Sequence, residues 1–263
     1  MKRLPFNALK GVWLLAFWFL WSTSAVVLAQ QDSITVWKAK LTKTTSDEKK
    51  IAILQDLVSE LSVDNLEQAQ KYAQQALDLA QKLKDDEIIA RSLNDLGDVQ
   101  QYQNNYQKAL EYYKRAIQYS QRAKSSDDLA YAQSSIGVVY YYLGEYDKAL
   151  EQLQQAYKIY QETNNASRID ECLRYLGSIY FIQADYDQAL GYYLESLKYS
   201  ERLNDENSRQ LALNNVGIVY KKIKKNDKAV IYFKQALEVS QKAQLDDGIA
   251  GALTNLGAVY DDA

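Results

Sequence analysis

Hydrophobic and polar residues follow a helical period over most of this chain. From Glu48 onward the first apolar stripe recurs at spacings of three and four residues, through Ile51, Leu54, Leu57, Val58 and Leu61. This spacing is typical of one face of an amphipathic helix. A polar break at residues 62–65, where Asp64 can cap a helix, precedes a second helix predicted at residues 66–83. The pattern therefore predicts a pair of helices.

The helix pair recurs along the chain with a period of 40 residues, marked by Leu-Gly or a close variant. These dipeptides are Leu96-Gly97, Ile136-Gly137, Leu176-Gly177, Val216-Gly217 and Leu256-Gly257. The pattern predicts first helices at residues 87–102, 128–142, 168–182 and 208–223, and second helices at 106–123, 146–163, 186–203 and 227–243. A sixth unit begins at Gly248 and has only its first helix before Ala263.

A repeat of this length decides the architecture. A single helix pair can bury its apolar face only against neighbouring pairs, so stacked pairs share one continuous core. One proline and ten glycines in the whole chain also favour long helices over strands. We predict an all-α solenoid of antiparallel helix pairs over residues 48–263, with about five and a half repeats.

Several residue types recur in phase with the glycines. A tyrosine follows at Tyr140, Tyr180, Tyr220 and Tyr260, and small residues recur in the second helices at Ala109, Ala149, Ala189 and Ala229. On these residues the chain resembles the tetratricopeptide repeat family. Its repeat is longer than the usual length of about 34 residues and lacks the final proline, and is similar to those of Partner-of-Inscuteable proteins, kinesin light chains and bacterial peptide-sensing regulators. The resemblance implies a right-handed superhelical solenoid that binds peptides or protein segments in a concave groove.

The resemblance also implies which side chains form that groove, because first helices line the concave face of such solenoids. The candidates flank the packed Leu-Gly-Tyr set and differ from unit to unit. They are Arg91, Asn94, Asp98 and Gln101; Tyr131, Ser134, Val138 and Tyr141; Glu171, Arg174, Ser178 and Phe181; and Asn214, Ile218 and Lys221. This set predicts aromatic rings at the centre of the groove with Arg174 as the central cation. The alternative is an ordinary solvated helix face.

The amino-acid composition limits the kinds of catalytic and binding site that the chain can form. The chain has no histidine, which excludes Ser-His-Asp and Cys-His triads and imidazole metal sites. Its one cysteine, Cys172, aligns with Ala132, Ala212 and Ala252 and is predicted to be a core residue. No carboxylate pair is flanked by a nucleophile or a metal-binding set, so we expect no catalysis, no cofactor and no metal. A net charge of −3 argues against nucleic acid as a partner.

The N-terminal segment carries an export pattern. Residues 1–10 are basic, residues 11–21 are continuously apolar, and small residues precede Gln30. This order is typical of a secretory signal peptide at residues 1–29, although residues 11–29 are nearly long enough to be an uncleaved membrane anchor. Residues 30–47 are predicted to be a polar linker or a frayed start. In both cases we expect a periplasmic or extracellular location, and membrane contact only through an uncleaved N-terminal segment.

These observations predict an exported, non-catalytic scaffold that binds a protein or peptide segment. The alternative is the extracytoplasmic sensory input region of a truncated bacterial membrane signalling protein, either a kinase or a transcription regulator. The sixth unit lacks the second helix that would cover its first, which suggests a fragment or truncated gene product. The sensory role is implied by a resemblance, since exported repeat arrays of this kind are similar to the input regions of bacterial membrane signalling proteins.

Overall fold

The computed structural model describes residues 33–61 and 65–261. Twelve helices and no strands are found in these residues. The first, α1, covers residues 33–43. The others are α2 (Asp47–Leu61), α3 (Leu66–Leu83), α4 (Asp86–Tyr102), α5 (Tyr106–Ala123), α6 (Ser126–Tyr142), α7 (Tyr146–Glu162), α8 (Ala166–Ile182), α9 (Tyr186–Leu203), α10 (Glu206–Lys222), α11 (Asn226–Ala243) and α12 (Asp246–Tyr260). The predicted all-α solenoid is confirmed.

Helices α2 to α11 form five hairpins, each made of a first helix and a second helix. Each second helix also packs on the first helix of the following pair, as α3 does on α4 and α5 on α6. The backbones of successive first helices lie close together along the series α2, α4, α6, α8, α10 and α12, whereas the backbones of successive second helices in the described residues lie farther apart. First helices therefore lie side by side on the inner, concave face of the solenoid.

The inner packing explains the repeated glycines. A Cβ atom at Gly177 would lie 2.7 Å from Cε1 of Tyr193, and one at Gly217 would lie 2.5 Å from Cε1 of Phe233. Backbone and ring can approach this closely only without a side chain on the first helix. Gly257 differs, because a Cβ atom there would meet nothing within 4 Å. The small residues of the second helices are fully buried for the same reason: Ala109, Ala149, Ala189, Ala229, Ala116, Ala156, Ser196 and Ala236.

Helix boundaries follow local capping. Asp85, Asn165 and Asp205 are N-caps whose side chains accept hydrogen bonds from backbone N–H groups of the first turn. At the start of α3 this role belongs to Asn65, which accepts from the Gln68 N–H at 3.1 Å. Asp64, the cap suggested by the sequence, lies outside the described residues. First helices begin one or two residues earlier than predicted, because polar residues without apolar periodicity occupy their first turns.

The N-terminal part of the chain precedes the first helix pair. Residues 33–43, within the segment predicted to be a linker, form α1, and Ile34 and Leu41 pack against the first hydrophobic core. Part of the segment predicted to be a polar linker or a frayed start is therefore helical, and contact with that core stabilises a helix that polar composition alone does not suggest. The predicted signal peptide lies outside the described residues. No helix in the described part of the chain is long and apolar enough to cross a membrane.

The turns repeat as regularly as the helices. A residue with left-handed backbone geometry occurs every 20 residues from Lys84 to Gln244. At the turn inside the hairpin this residue is Gly144 in one unit (φ 75°) and Ala184 in the next (φ 61°). Left-handed geometry is unfavourable for residues that carry a Cβ atom, so the sequence places a mild strain at Ala184.

Replacing Ala184 with glycine should stabilise the protein by about 0.5 kcal/mol, because relief of the left-handed strain exceeds the extra chain entropy of glycine. The reverse change, Gly144→Ala, should destabilise it by a similar amount, since a Cβ atom at Gly144 meets nothing within 4 Å and only backbone geometry changes. Thermal unfolding followed by circular dichroism measures both variants. Shifts of the same sign would contradict this account.

Candidate functional site

A cavity of about 480 Å³ opens on the concave face between the first helices of four successive pairs. Residues of α2, α4, α6 and α8 line it. It is formed where successive first helices lie side by side, so its walls come from side chains that are distant in sequence. A second cavity, of about 360 Å³, adjoins it between α4, α6 and α8 and shares Asp98, Tyr102, Tyr131 and Arg168 with it. The two form one continuous depression.

Two carboxyl groups on α4 occupy the first cavity. Gln55 Nε2 of α2 donates a hydrogen bond to Asp95 Oδ2 at 2.9 Å. The hydroxyl of Tyr113 donates to Asp98 Oδ1 at 2.7 Å, and that of Tyr131 donates to Asp98 Oδ2 at 2.6 Å. All three donors are neutral. Asp95 and Asp98 are three residues apart and therefore lie on one side of the helix.

Both carboxyl groups have raised pKa values. Burial raises the pKa of Asp95 from its ordinary value of 3.8 to about 7, and burial raises that of Asp98 to about 6. The hydrogen bonds from Gln55, Tyr113 and Tyr131 act in the opposite direction because they favour the ionised form. Burial dominates, so removing these carboxylates from water is only partly compensated. Perturbed carboxyl groups in a cleft are a common property of functional sites.

The two arginines of the cavity have acidic partners. Arg91 Nη2 lies 2.8 Å from Glu87 Oε1, and its Nε lies 3.4 Å from Asp128 Oδ1. Arg168 Nη1 lies 2.8 Å from Glu171 Oε2, and its guanidinium stacks over the Tyr131 ring with Cζ 4.5 Å from the ring centroid. These partners hold both guanidinium groups in place at the cavity wall.

Exposed tyrosines border the depression. Tyr102 is 56% exposed and lines both cavities, while Tyr142 is 54% exposed and lines the second. They occupy the same position in consecutive repeats, at the last residue of α4 and of α6. The Tyr142 ring is stacked with that of Tyr106 at a centroid distance of 6.1 Å. Large apolar rings left in water beside a polar cavity are available for contact with a ligand.

Eight of the residues suggested by the sequence lie at these cavities. Arg91, Asn94, Asp98 and Tyr131 line the first. Gln101, Ser134, Val138 and Glu171 line the second, with Asp98 and Tyr131 shared between the two. Three of these residues are buried and are therefore not part of an ordinary solvated helix face: Asn94, Ser134 and Val138.

The remaining suggested residues lie outside the two cavities and contact the scaffold. Arg174 Nε lies 3.1 Å from Asp170 Oδ2, and Ser178 Oγ donates to the Arg174 carbonyl. Tyr141 packs edge-on against Tyr175. Other members contact neighbouring helices or core side chains as well: Phe181, Asn214 and Ile218. Lys221 is half-buried at the end of α10. The cations that line the two cavities are therefore Arg91 and Arg168, whereas Arg174 lies outside both. A role of Arg174 in ligand binding stays a prediction.

The sequence-based set omitted Asp95, Tyr102, Tyr142 and Arg168. All four lie on first helices. The positions of Asp95 and Arg168 vary between repeats, so the criterion of variability could have found them, whereas Tyr102 and Tyr142 share one position in consecutive repeats. The set of groove residues chosen from the sequence was too narrow, because on each first helix it followed a single stripe of side chains, such as Arg91, Asn94, Asp98 and Gln101 on α4. The structure adds three positions displaced by one residue from the stripe, Asp95, Tyr102 and Tyr142, and extends the stripe of α8 by one turn to Arg168. In the described chain no group of three or more potential metal ligands is assembled.

The repeat geometry agrees with the match of the sequence to a protein-family model. The model described as tetratricopeptide repeat matches residues 59–122, 128–202 and 168–242. The chain belongs to the tetratricopeptide repeat family. No curated protein matches the sequence. The expected family is thus confirmed, and the 40-residue spacing is a feature of this tetratricopeptide repeat protein.

Solved structures share this tetratricopeptide repeat architecture. BtubC (BKLC) from P. vanneervenii is 26% identical with a TM-score of 0.66, over 75% of this chain and 84% of that one. A Rap protein complexed with Competence and Sporulation Factor is 17% identical with a TM-score of 0.66, over 93% and 72%. The apo form of the quorum sensor NprR from B. thuringiensis is 16% identical with a TM-score of 0.69, over 99% and 72%.

Proposed function

We propose that this tetratricopeptide repeat protein is a non-catalytic scaffold that binds a peptide or an extended protein segment along its concave face. The observation that carries the proposal is the continuous depression across α2, α4, α6 and α8, bordered by exposed Tyr102 and Tyr142. Tyrosine and arginine are favoured anchors at protein interfaces. The similarity of shape to a Rap protein solved with Competence and Sporulation Factor supports a ligand of this kind.

The size of the depression sets the length of the ligand. Packed helices are spaced by about 8–10 Å, so the four first helices span about 25–30 Å. An extended chain advances about 3.3 Å per residue, and about eight residues therefore cross the depression. Tyrosine rings have few rotatable bonds and lose little entropy on binding, which suits them to hold such a segment.

Removing both exposed rings should weaken peptide binding. Peptides selected against the wild-type chain from a displayed random library should bind the Tyr102→Ser, Tyr142→Ser double variant at least about tenfold more weakly. Fluorescence polarisation with the selected peptides measures the dissociation constants. The control is Ile231→Ser, which removes a side chain of similar exposure (54%) from the second helix α11.

Two results count against the proposal. One is a library selection that yields no peptide with saturable binding to the folded wild-type chain. The other is equal affinity of the selected peptides for wild type and for the double variant, with helix content unchanged by circular dichroism. Loss of affinity in the Ile231→Ser control to the same extent also contradicts it, because α11 presents this residue outside the depression.

Export and a sensory role are further proposals. Export rests on the pattern of residues 1–29. The sensory alternative is supported by the similarity to NprR, which is described as a quorum sensor; the match covers 99% of this chain and 72% of NprR. Cell fractionation of the full chain tests export. A membrane span and an output domain in the reading frame after Ala263 would favour the sensory alternative over a free scaffold.

A further inference from the structure

The carboxyl groups of Asp95 and Asp98 differ from other acidic groups of the depression. Asp128 and Glu171 are paired with Arg91 and Arg168, whereas the hydrogen-bond donors to Asp95 and Asp98 are all neutral. In the described residues neither Asp95 nor Asp98 forms an ion pair with lysine or arginine. Carboxylates removed from water are normally paired with a cation. Arg91 and Arg168 act on these two carboxyl groups only at longer range, so no cation of the described residues is in direct contact with them.

A second, independent feature of the same cavity points to a missing donor. Asn94 is 2% exposed and lines the cavity beside the two carboxyl groups. Its Nδ2 donates to the Asp128 carbonyl at 3.3 Å, but its Oδ1 is buried without a hydrogen-bond partner. Buried polar atoms nearly always have a partner in the protein, in ordered water or in a ligand. The cavity thus combines unpaired negative charge with an unused acceptor.

The charge balance of the cavity wall also favours a cation. Four aspartates line it, Asp95, Asp98, Asp127 and Asp128, against the two arginines Arg91 and Arg168. Both arginines are already engaged with carboxylates, so they leave the excess of negative charge in place. Among the aromatic residues of the lining, the exposed Tyr102 can pack against the aliphatic stem or the flat guanidinium group of a long basic side chain.

We propose that this cavity is the subsite for one positively charged side chain, Arg or Lys, of the bound peptide, held by the carboxylates of Asp95 and Asp98 and by Oδ1 of Asn94. A guanidinium group presents five N–H donors in one plane, and an ammonium group presents three. Either can satisfy two carboxylates and a carbonyl together. The inference rests on the proposed function, since it names the chemistry of the ligand that the concave face takes.

Matched peptide pools test the subsite. Each pool contains seven-residue peptides with blocked ends, an uncharged dye and a random mixture of uncharged residues around a fixed central residue. The central residue is arginine, its neutral isostere citrulline, or glutamate. At low salt and about pH 8, the arginine pool should bind the full chain at least about tenfold more tightly than the citrulline pool, and the glutamate pool most weakly. Fluorescence polarisation measures all three.

Substitutions at Asp95 and Asp98 test whether the preference for arginine arises in this cavity. In the Asp95→Asn, Asp98→Asn double variant the ratio of citrulline to arginine dissociation constants should fall to about one or two. The control is Asp147→Asn, Asp187→Asn, which makes the same chemical change at two exposed positions of second helices and should leave the ratio unchanged. Circular dichroism checks that both variants keep the wild-type helix content.

The outcomes separate this inference from the proposed function. Equal binding of the three pools overturns the subsite but leaves peptide binding in place. A preference for arginine that survives in the Asp95→Asn, Asp98→Asn variant overturns the assignment to this cavity. Failure of every pool to bind, together with a library selection that yields no peptide, overturns both proposals. A preference that disappears in that variant and persists in the control supports the subsite.

Discussion

Replacing Asp95 with asparagine should stabilise the protein by on the order of 2 kcal/mol above about pH 8 and change its stability little below about pH 4. Burial raises the pKa of Asp95 from 3.8 to about 7 in the folded chain. One pH unit of difference in pKa corresponds to about 1.4 kcal/mol, and we reduce the total because water screens a carboxyl group that is only partly buried. Asparagine keeps an oxygen that can accept the hydrogen bond from Gln55.

The direction of the expected change in stability follows from the difference in proton binding between the folded and unfolded chains. Between pH 3.8 and about pH 7 the folded chain holds a proton on Asp95 that the unfolded chain has released. Stability therefore falls as the pH rises through this window, and the variant lacks that loss. The charged and titratable groups near Asp95 include Arg91 and Asp98 on α4 and Asp128 on α6. They remain in both proteins, so the loss of the Asp95 carboxyl group, together with its interaction with these neighbours, accounts for the difference.

Urea unfolding of wild type and Asp95→Asn at several pH values between about 4 and 8 measures the difference. Some carboxyl groups have lowered pKa values, such as Asp86 beside Arg122 and the helix cap Asp205. Their contribution to the stability of the folded chain falls as the pH falls, and it does so equally in both proteins. Asp147→Asn, at an exposed position, should show no such pH-dependent gain. A difference between wild type and Asp95→Asn that is constant across the range would contradict the raised pKa.

The stability effect and the proposed subsite concern the same atoms. If Asp95 and Asp98 receive a cation from a peptide, the free energy lost by burying their charges is recovered in the complex. Unliganded Asp95→Asn should then be more stable than wild type while binding the arginine pool more weakly. A gain in stability together with unchanged binding would mean that the pair has no role in recognition.

Replacing Gly177 with alanine should destabilise the protein by about 1–3 kcal/mol. A Cβ atom at this position would lie 2.7 Å from Cε1 and 2.8 Å from Cδ1 of Tyr193. The ring cannot move aside easily, because it is 4% exposed and its hydroxyl lies 2.9 Å from Ser178 Oγ. α8 and α9 must therefore separate, and contacts across the hairpin are lost.

Gly191→Ala is the matched control for this change. Gly191 is also inside a helix, α9, but a Cβ atom there meets nothing within 4 Å. Alanine has the higher helix propensity, so this variant should be more stable than wild type by about 0.5–1 kcal/mol. Thermal unfolding followed by circular dichroism compares the two. Equal stabilisation by both substitutions would show that the close approach at Gly177 is not required.

Much of the fold could be predicted from the sequence because its signals are local and repeated. The spacing of Gly137, Gly177 and Gly217 predicted the helix pairs, and each glycine faces a second-helix side chain 16 residues later: Leu153, Tyr193 or Phe233. Cys172 was predicted to be a core residue from its alignment with alanines, and this is confirmed by its 1% exposure. Burial raises the pKa of its thiol, which keeps it protonated and unreactive.

The site was predicted less well, and α1 was missed. The identity of the concave helices came from the family resemblance, but the choice of side chains depended on how each helix is rotated against its neighbours. That rotation is set by packing between repeats and is not visible in one stripe of one helix. Arg174 illustrates this dependence: the sequence predicts it at the centre of the groove, and in the structure it pairs with buried Asp170 and lies outside the two cavities.

The sequence by itself therefore determined the period, the helix pairs and the packing positions, since these depend on contacts within one hairpin and on a pattern repeated many times. Only the tertiary structure decided where charge is left unpaired. Asp95 meets Gln55 from 40 residues away, and Asp98 meets Tyr131 from 33 residues away. Such contacts exist only after first helices of successive repeats are placed side by side, and burial in that arrangement raises the two pKa values.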